Sequence, residues 1–418
     1  MTSRSGVRRA SSGALLIAGV LLVAANLRHV LTAVGPLLGQ IRADTGLGAA
    51  ALGLLAAVPL LAFGVISPLA HGISGKFGVE KTVFAALLVL VAGTLLRPLP
   101  GSLAYLWLGT FIIGAAIAIC NVLLPAILKR DFPERMASLT GTYSAVLGGA
   151  ASLGAGLSVP LSLLPLPGGP AGWRFALAAY VLLILPAVLL WIPQLRRPRP
   201  GTPESPSVGP VAAVPGPARG AVWKSAVAWQ VTWFMGLQSM SFYILITWLP
   251  TLERSYGRSE VGAGWDLFTF QLIGVAASLL TPLFLRGGDH RAAAALPPAL
   301  VVAGVLGLML LPGAMLLWVL LAGFGSGSSL VTALALFGLR TRTHREASAL
   351  SGMAQSVGYL MAAAGPPLFG ALYGATGGWV LPLVMLACAG VLQAVTGLAA
   401  GRDRFAFAAT GADRPVVD

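Results

Sequence analysis

Charge is scarce in this sequence. Asp and Glu number 13 in 418 residues, and charged residues together make up 10%. Soluble domains carry roughly 25%, so a soluble globular fold is excluded. Histidine and cysteine are rarer still, at four and two. That excludes a disulfide framework and a His/Cys metal centre, and no cofactor is expected. Cys120 and Cys388 lie inside apolar runs and read as small buried hydrophobes. No Walker motif and no nucleophile–base pair at membrane depth is present, so the chain does not read as an enzyme. Gly323-Phe324-Gly325-Ser326-Gly327 looks like a nucleotide loop, but it sits in an apolar run with no strand beside it. The longest polar stretch between apolar runs, 193–224, is too short for the effector domain of a membrane sensor.

What is present is apolar. Hydrophobic residues make up 57% and the mean hydropathy is +0.86. The runs are about 20 residues long, which predicts helices that cross a bilayer. The alternating ~10-residue strands of a membrane barrel are missing. No cleavable signal is expected, because the segment after the first arginines is too long and lacks a clear small-residue cleavage site. Twelve spans are predicted, near 14–40, 48–70, 81–97, 103–128, 138–160, 173–192, 225–251, 262–285, 293–311, 315–338, 347–372 and 379–400. Residues 193–224 are rich in Pro, Arg, Gly and Ser and read as a flexible linker. The expected organisation is an N-terminal six-helix bundle (1–192), this linker, and a C-terminal six-helix bundle with a tail (225–418).

The net charge of +14 follows the topology. With the N-terminus inside, 21 of the 27 Lys and Arg residues fall on the inner side. Arg42, Arg97, Arg174, Arg254 and Arg258 fall outside, and Arg28 lies within a span. This positive-inside bias predicts that both termini are cytoplasmic. It also explains the basic excess without nucleic acid. Substrate and lipid are the only partners expected, and the chain reads as a monomer.

The two halves repeat each other. Leu106-Trp107 and Leu317-Trp318 open spans 4 and 10 at an offset of 211, and Gly114 matches Gly325 at the same offset. Pro36 and Pro250 close spans 1 and 7 at an offset of 214. A repeat of six helices places a substrate site at the bilayer midplane, between the halves.

Arg28 stands at the centre of the first span. A mid-membrane arginine costs about 2.5 to 3.5 kcal/mol on insertion scales, and it cannot shed its proton. It is therefore expected to face a path and to need a partner. On an unbroken helix, Arg28, His29, Thr32 and Pro36 fall within roughly 100° of one another, while Asn26 points toward a neighbouring helix. The repeat sets Phe242 and Tyr243 opposite Arg28 and His29. Asn121, Tyr143, Gln271, Gln355 and Tyr359 are further polar groups at depth; for each taken alone, binding one helix to another is the first expectation and substrate contact the second. Asp266 is the one carboxylate expected inside a span, as a partner for Arg28, an outer gate, or a surface residue. With no central acid, uniport or anion exchange is expected rather than strict proton symport.

The six-plus-six plan with a basic loop after span 2 resembles the major facilitator superfamily. His71-Gly72-Ile73-Ser74-Gly75-Lys76-Phe77-Gly78 is similar to its G-x-x-x-D-R-x-G loop, with His71 and Gly75 in place of the first Gly and the Asp. The usual acidic latch is thus missing, and Lys76, Glu80, Lys129, Arg130 and Asp131 are the candidate switch contacts. Closer likeness is to the cyanate permease and 2-nitroimidazole exporter (CynX/NimT) branch. It is carried by Asn26-Leu27-Arg28 with Val34-Gly35-Pro36-Leu37-Leu38, by Asn121-Val122-Leu123-Leu124-Pro125, by Thr247-Trp248-Leu249-Pro250 and by Ser351-Gly352-Met353-Ala354-Gln355. His29 stands where relatives often have Pro. The resemblance implies an all-α integral membrane protein of twelve helices in two pseudo-symmetric bundles, in a bacterial cytoplasmic membrane. It also implies alternating-access transport of a small cyanate-like or nitroimidazole-like solute. An exporter of small neutral xenobiotics is the alternative.

Overall fold

Backbone amides in hydrocarbon have no water to bond, so each apolar run closes its hydrogen bonds within itself as a helix. The computed structural model describes residues 3–196, 221–285 and 289–407. The first rod is broken into α1 (Ser3–Asn26), α2 (His29–Thr32) and α3 (Val34–Thr45). The second is α4 (Ala49–Ile66), a 3-10 turn and α5 (Ala70–Phe77). Then come α6 (Val79–Leu96), α7 (Leu103–Asp131) and α8 (Met136–Ser162). An exposed antiparallel hairpin, β1 (Pro165–Leu166) with β2 (Gly169–Pro170), leads to α9 (Gly172–Ala179) and α10 (Val181–Trp191). In the second half a short α11 (Ala221–Lys224) precedes α12 (Ala226–Ser255) and α13 (Glu260–Leu280). The chain ends with α14 (Arg291–Leu310), α15 (Met315–Leu339), α16 (His344–Thr376) and α17 (Val380–Ala400).

These helices give the twelve expected crossings. Ten are long and apolar enough to span a membrane by composition alone. The two that fall short are α12 and α16, which carry Tyr243, Gln355 and Tyr359. Lower hydropathy there fits helices that face a polar path rather than lipid. Most of the expected linker, 197–220, lies outside the described residues, as do Arg286 and the tail beyond 407.

The halves meet along repeat-related pairs: α4 on α16, α8 on α13, and α3 on α12. Two glycines let backbone meet backbone across the halves. A side chain at Gly53 would strike the Pro366 carbonyl of α16, and one at Gly35 would strike the Ile246 carbonyl of α12. Both contacts lie toward the end of the molecule that carries Thr45, the expected outer face. There α3 is buried from Val34 to Leu38 and α12 from Tyr243 to Pro250. A polar seam completes the seal. Gln40 of α3 donates to Ser162 at 2.9 Å and, across the halves, to Glu260 at 3.1 Å. Glu260 also pairs with Arg254.

At the opposite face the basic residues do more than set topology. Arg130 bridges Glu80 at 2.6 Å and Asp131 at 2.9 Å, joining the ends of α6 and α7. Trp191 adds α10 by donating to the Glu80 carbonyl. These contacts join α6, α7 and α10 of the first half. Lys129 is exposed, and Lys76 lies over the Phe77 ring at 5.6 Å; neither takes part in them. Arg340, expected as a loop anchor, is instead 1% exposed. It donates to His290 at 2.7 Å and to the Gly401 carbonyl at 3.3 Å, tying down the chain after α17.

Candidate functional site

The site begins at the break in the first rod. Leu27 and Arg28 form a turn between α1 and α2, and the Arg28 carbonyl accepts from the amides of both Leu31 and Thr32. Ala33 interrupts the helix again before α3. Pro36 has no amide to offer the Thr32 carbonyl, which accounts for the second interruption. Irregular backbone at membrane depth is tolerated where protein or a cavity surrounds it, and transporters use such breaks for binding.

The break redirects the side chains around it. The Arg28 guanidinium crosses to the second half, where Nη1 donates to the Tyr243 hydroxyl at 3.3 Å. The Tyr359 and Tyr143 hydroxyls are its other electrostatic neighbours. Three tyrosines from α8, α12 and α16 thus surround one cation drawn from α1 and α2. Among the described residues no carboxylate pairs with it. Phe242 packs edge-on to Tyr243 and stacks on Phe270, with centroids 6.2 Å apart. Arg28, Asn121, Tyr143, Phe242, Gln355 and Tyr359 are all half-buried, the exposure of groups that border a cavity. Gln355 spends its amide on Ser351 within its own helix, at 2.7 Å.

Three expected path residues turn away. His29 is 3% exposed; its Nδ1 lies 2.8 Å from the Ala25 carbonyl and its ring packs on Tyr180 at 4.9 Å. It faces the interior of the first half. Thr32 and Gln271 both donate to the Ala151 carbonyl, at 2.7 and 3.0 Å. They bind α2 and α13 to α8, the helix-joining role available to any polar group at depth. The single helical face that groups His29 and Thr32 with Arg28 assumes an unbroken helix, and the turn at 27–28 removes that premise. Asn26 is buried and donates to the Leu22 carbonyl.

Asp266 does not reach Arg28. It is 4% exposed and holds Arg258 in a two-pronged pair, at 2.7 and 3.0 Å. Two further residues depart from their expected places. Glu253, just beyond the predicted seventh span, is 0% exposed with neither carboxylate oxygen hydrogen-bonded. Its electrostatic neighbours are Asp266 and Arg258 near the Thr45 end, away from Arg28. Arg97, expected outside the membrane, is 1% exposed and donates to the Val30 carbonyl at 3.1 Å. It closes an acceptor of the broken α2 segment. Nothing local in the sequence marks Glu253.

A fixed cation ringed by phenols is suited to an anion or to an electron-rich flat body. The guanidinium supplies charge and a planar fork of donors, and the hydroxyls can orient a second polar atom. Tyr243→Phe removes one hydroxyl and leaves the ring. The 3.3 Å contact is long, so the loss should be about 1 kcal/mol, roughly fivefold in apparent substrate affinity. A transport KM equal to wild type would take Tyr243 out of the site.

Over residues 16–366 the sequence matches the Major Facilitator Superfamily. It is 44% identical over 404 residues to the 2-nitroimidazole transporter of Escherichia coli (strain K12), covering 96% of this chain and 98% of that protein. It is 27% identical over 363 residues to the cyanate transport protein CynX of the same organism, covering 87% of this chain and 91% of that protein. The fold superposes on the crystal structure of a D-xylose-proton symporter with a TM-score of 0.71 at 16% identity, covering 92% of this chain and 96% of that one. That last likeness bears on the fold alone.

Proposed function

The chain belongs to the Major Facilitator Superfamily, and from that premise we propose that this multi-pass membrane transporter moves a small anionic or electron-rich solute, cyanate-like or nitroimidazole-like, with Arg28 as its central binding cation. The observation that carries the reading is the state of Arg28. It sits on a broken helix at membrane depth, with a tyrosine hydroxyl as its side-chain partner and no carboxylate. An uncompensated charge in that setting is costly, and a bound anion offsets the cost. A ligand whose contacts differ between two states shifts the equilibrium between them. The two bundles then rock about the site, with the Thr45 end outside, both termini in the cytoplasm and a bacterial cytoplasmic membrane as the setting. Phe242 supplies a wall for a flat ring, which suits the compound in the first relative's name.

A thermal-shift measurement tests the binding chemistry. Purified protein is melted with sodium cyanate and, separately, with 2-nitroimidazole. A ligand at a hundred times its Kd stabilises by about 2.7 kcal/mol, a rise of several degrees. One of the two should stabilise wild type and leave Arg28→Gln unmoved. Equal stabilisation of both proteins would remove Arg28 from the binding site and favour a neutral xenobiotic held by apolar contacts.

A further inference from the structure

The first half holds a second buried cation that the central site does not use. Arg97 has one hydrogen-bonded nitrogen, Nη1, on the Val30 carbonyl. Its Nε and Nη2 are buried with no partner. Its electrostatic neighbours are Tyr180 and His29, with no carboxylate among them. Removing a guanidinium from water costs several kcal/mol unless charge and donors are both met. Neither is met here by the protein.

The side chain lines a cavity of about 30 Å³, room for one or two water-sized bodies. Its walls come from both halves. Leu31, Pro59, Thr110 and Arg97 belong to the first; Tyr243, Ile246 and Thr247 belong to the second. Thr110 and Thr247 donate to carbonyls in their own helices, at 2.7 Å each, so their protons are committed. Tyr243 differs. Its oxygen accepts from Arg28, and its own hydroxyl proton has no acceptor among the described residues. The free donors are therefore the Arg97 guanidinium and one phenol, in an otherwise mostly apolar chamber.

We propose that this chamber binds a halide-sized monoanion, held by Arg97 and the Tyr243 hydroxyl between the two halves. The site is separate from the substrate position at Arg28, although Tyr243 borders both. Its size excludes a nitroimidazole ring, and the single cation disfavours a divalent anion. Because its walls come from both bundles, the anion is bound only while the Thr45 end is sealed, and it stabilises that state. The proposal does not depend on the identity of the transported solute.

Chloride NMR line broadening on the purified full chain in gluconate buffer tests it. Wild type should broaden the chloride resonance saturably. Arg97→Gln should weaken the apparent affinity at least tenfold. Ala56→Leu, which fills the chamber from α4 and leaves the cation in place, should do the same and decides the matter if Arg97→Gln fails to fold. Absence of saturable broadening in wild type overturns the proposal, since the chamber then holds water only. So does wild-type affinity in Arg97→Gln or in Ala56→Leu. Loss confined to Arg28→Gln also overturns it, by assigning the halide to the central site.

Discussion

Arg28→Gln lowers transport of the anionic solute into proteoliposomes by about a hundredfold. The substitution keeps a planar polar end and removes the charge. Removing one partner of a buried, hydrogen-bonded charge pair typically costs 2 to 5 kcal/mol, and about 1.4 kcal/mol is a factor of ten. The pairing at issue is with the solute, because the protein itself offers Arg28 only the Tyr243 hydroxyl at 3.3 Å. Arg28→Lys separates charge from shape. An ammonium keeps the charge but loses the rigid fork, so flux should be intermediate, about tenfold below wild type. If Arg28 were only a structural clamp, both variants would lower the melting temperature and the yield, and flux per folded molecule would hold. The measurement is initial uptake normalised to reconstituted, monodisperse protein. Wild-type flux in Arg28→Gln would sink the site assignment.

The sequence displays Arg28 because an isolated charge in a long apolar run has few explanations. The two-fold repeat leads to Tyr243 as well, since segments at one offset occupy equivalent places in the two bundles. It sets Phe242 opposite Arg28 and Tyr243 opposite His29, while the contact observed is Arg28 with Tyr243. A repeat offset does not resolve a shift of one residue. Helix number and the lower hydropathy of α12 and α16 are likewise legible, because composition sets them. His29 and Thr32 are not. Their directions depend on the break at Leu27-Arg28, which helical periodicity assumes away. Arg97 and Glu253 are illegible for a different reason. Each ends an apolar run, where a charge normally meets water, and only the packing of other helices over them makes them buried. Gln40, Arg254 and Glu260 form their seam across more than 200 residues of chain, which no local pattern records.

Gly35→Val biases the Thr45 end open and slows turnover by one to two orders of magnitude. Gly35 meets α12 at the Ile246 carbonyl, so a side chain there presses on backbone. Flexible side chains can move aside, whereas a carbonyl moves only with its helix. Overpacking of this kind costs about 1 to 3 kcal/mol, and the cost falls only on the sealed state, because the contact joins the two halves. A penalty of about 3 kcal/mol against one of two states changes their ratio roughly a hundredfold. Spin labels at Thr45→Cys and Tyr256→Cys, in a background where Cys120 and Cys388 are replaced by Ala, report the distance across this end. The distance distribution should shift to longer values in Gly35→Val. Flux should fall by one to two orders of magnitude while ligand binding survives, since Arg28 and its tyrosines are untouched. Gly53→Val presses on the Pro366 carbonyl in the same way and should give the same shift through α4 and α16. Unchanged distances together with normal flux would show that these glycines merely pack well and that closure does not depend on them.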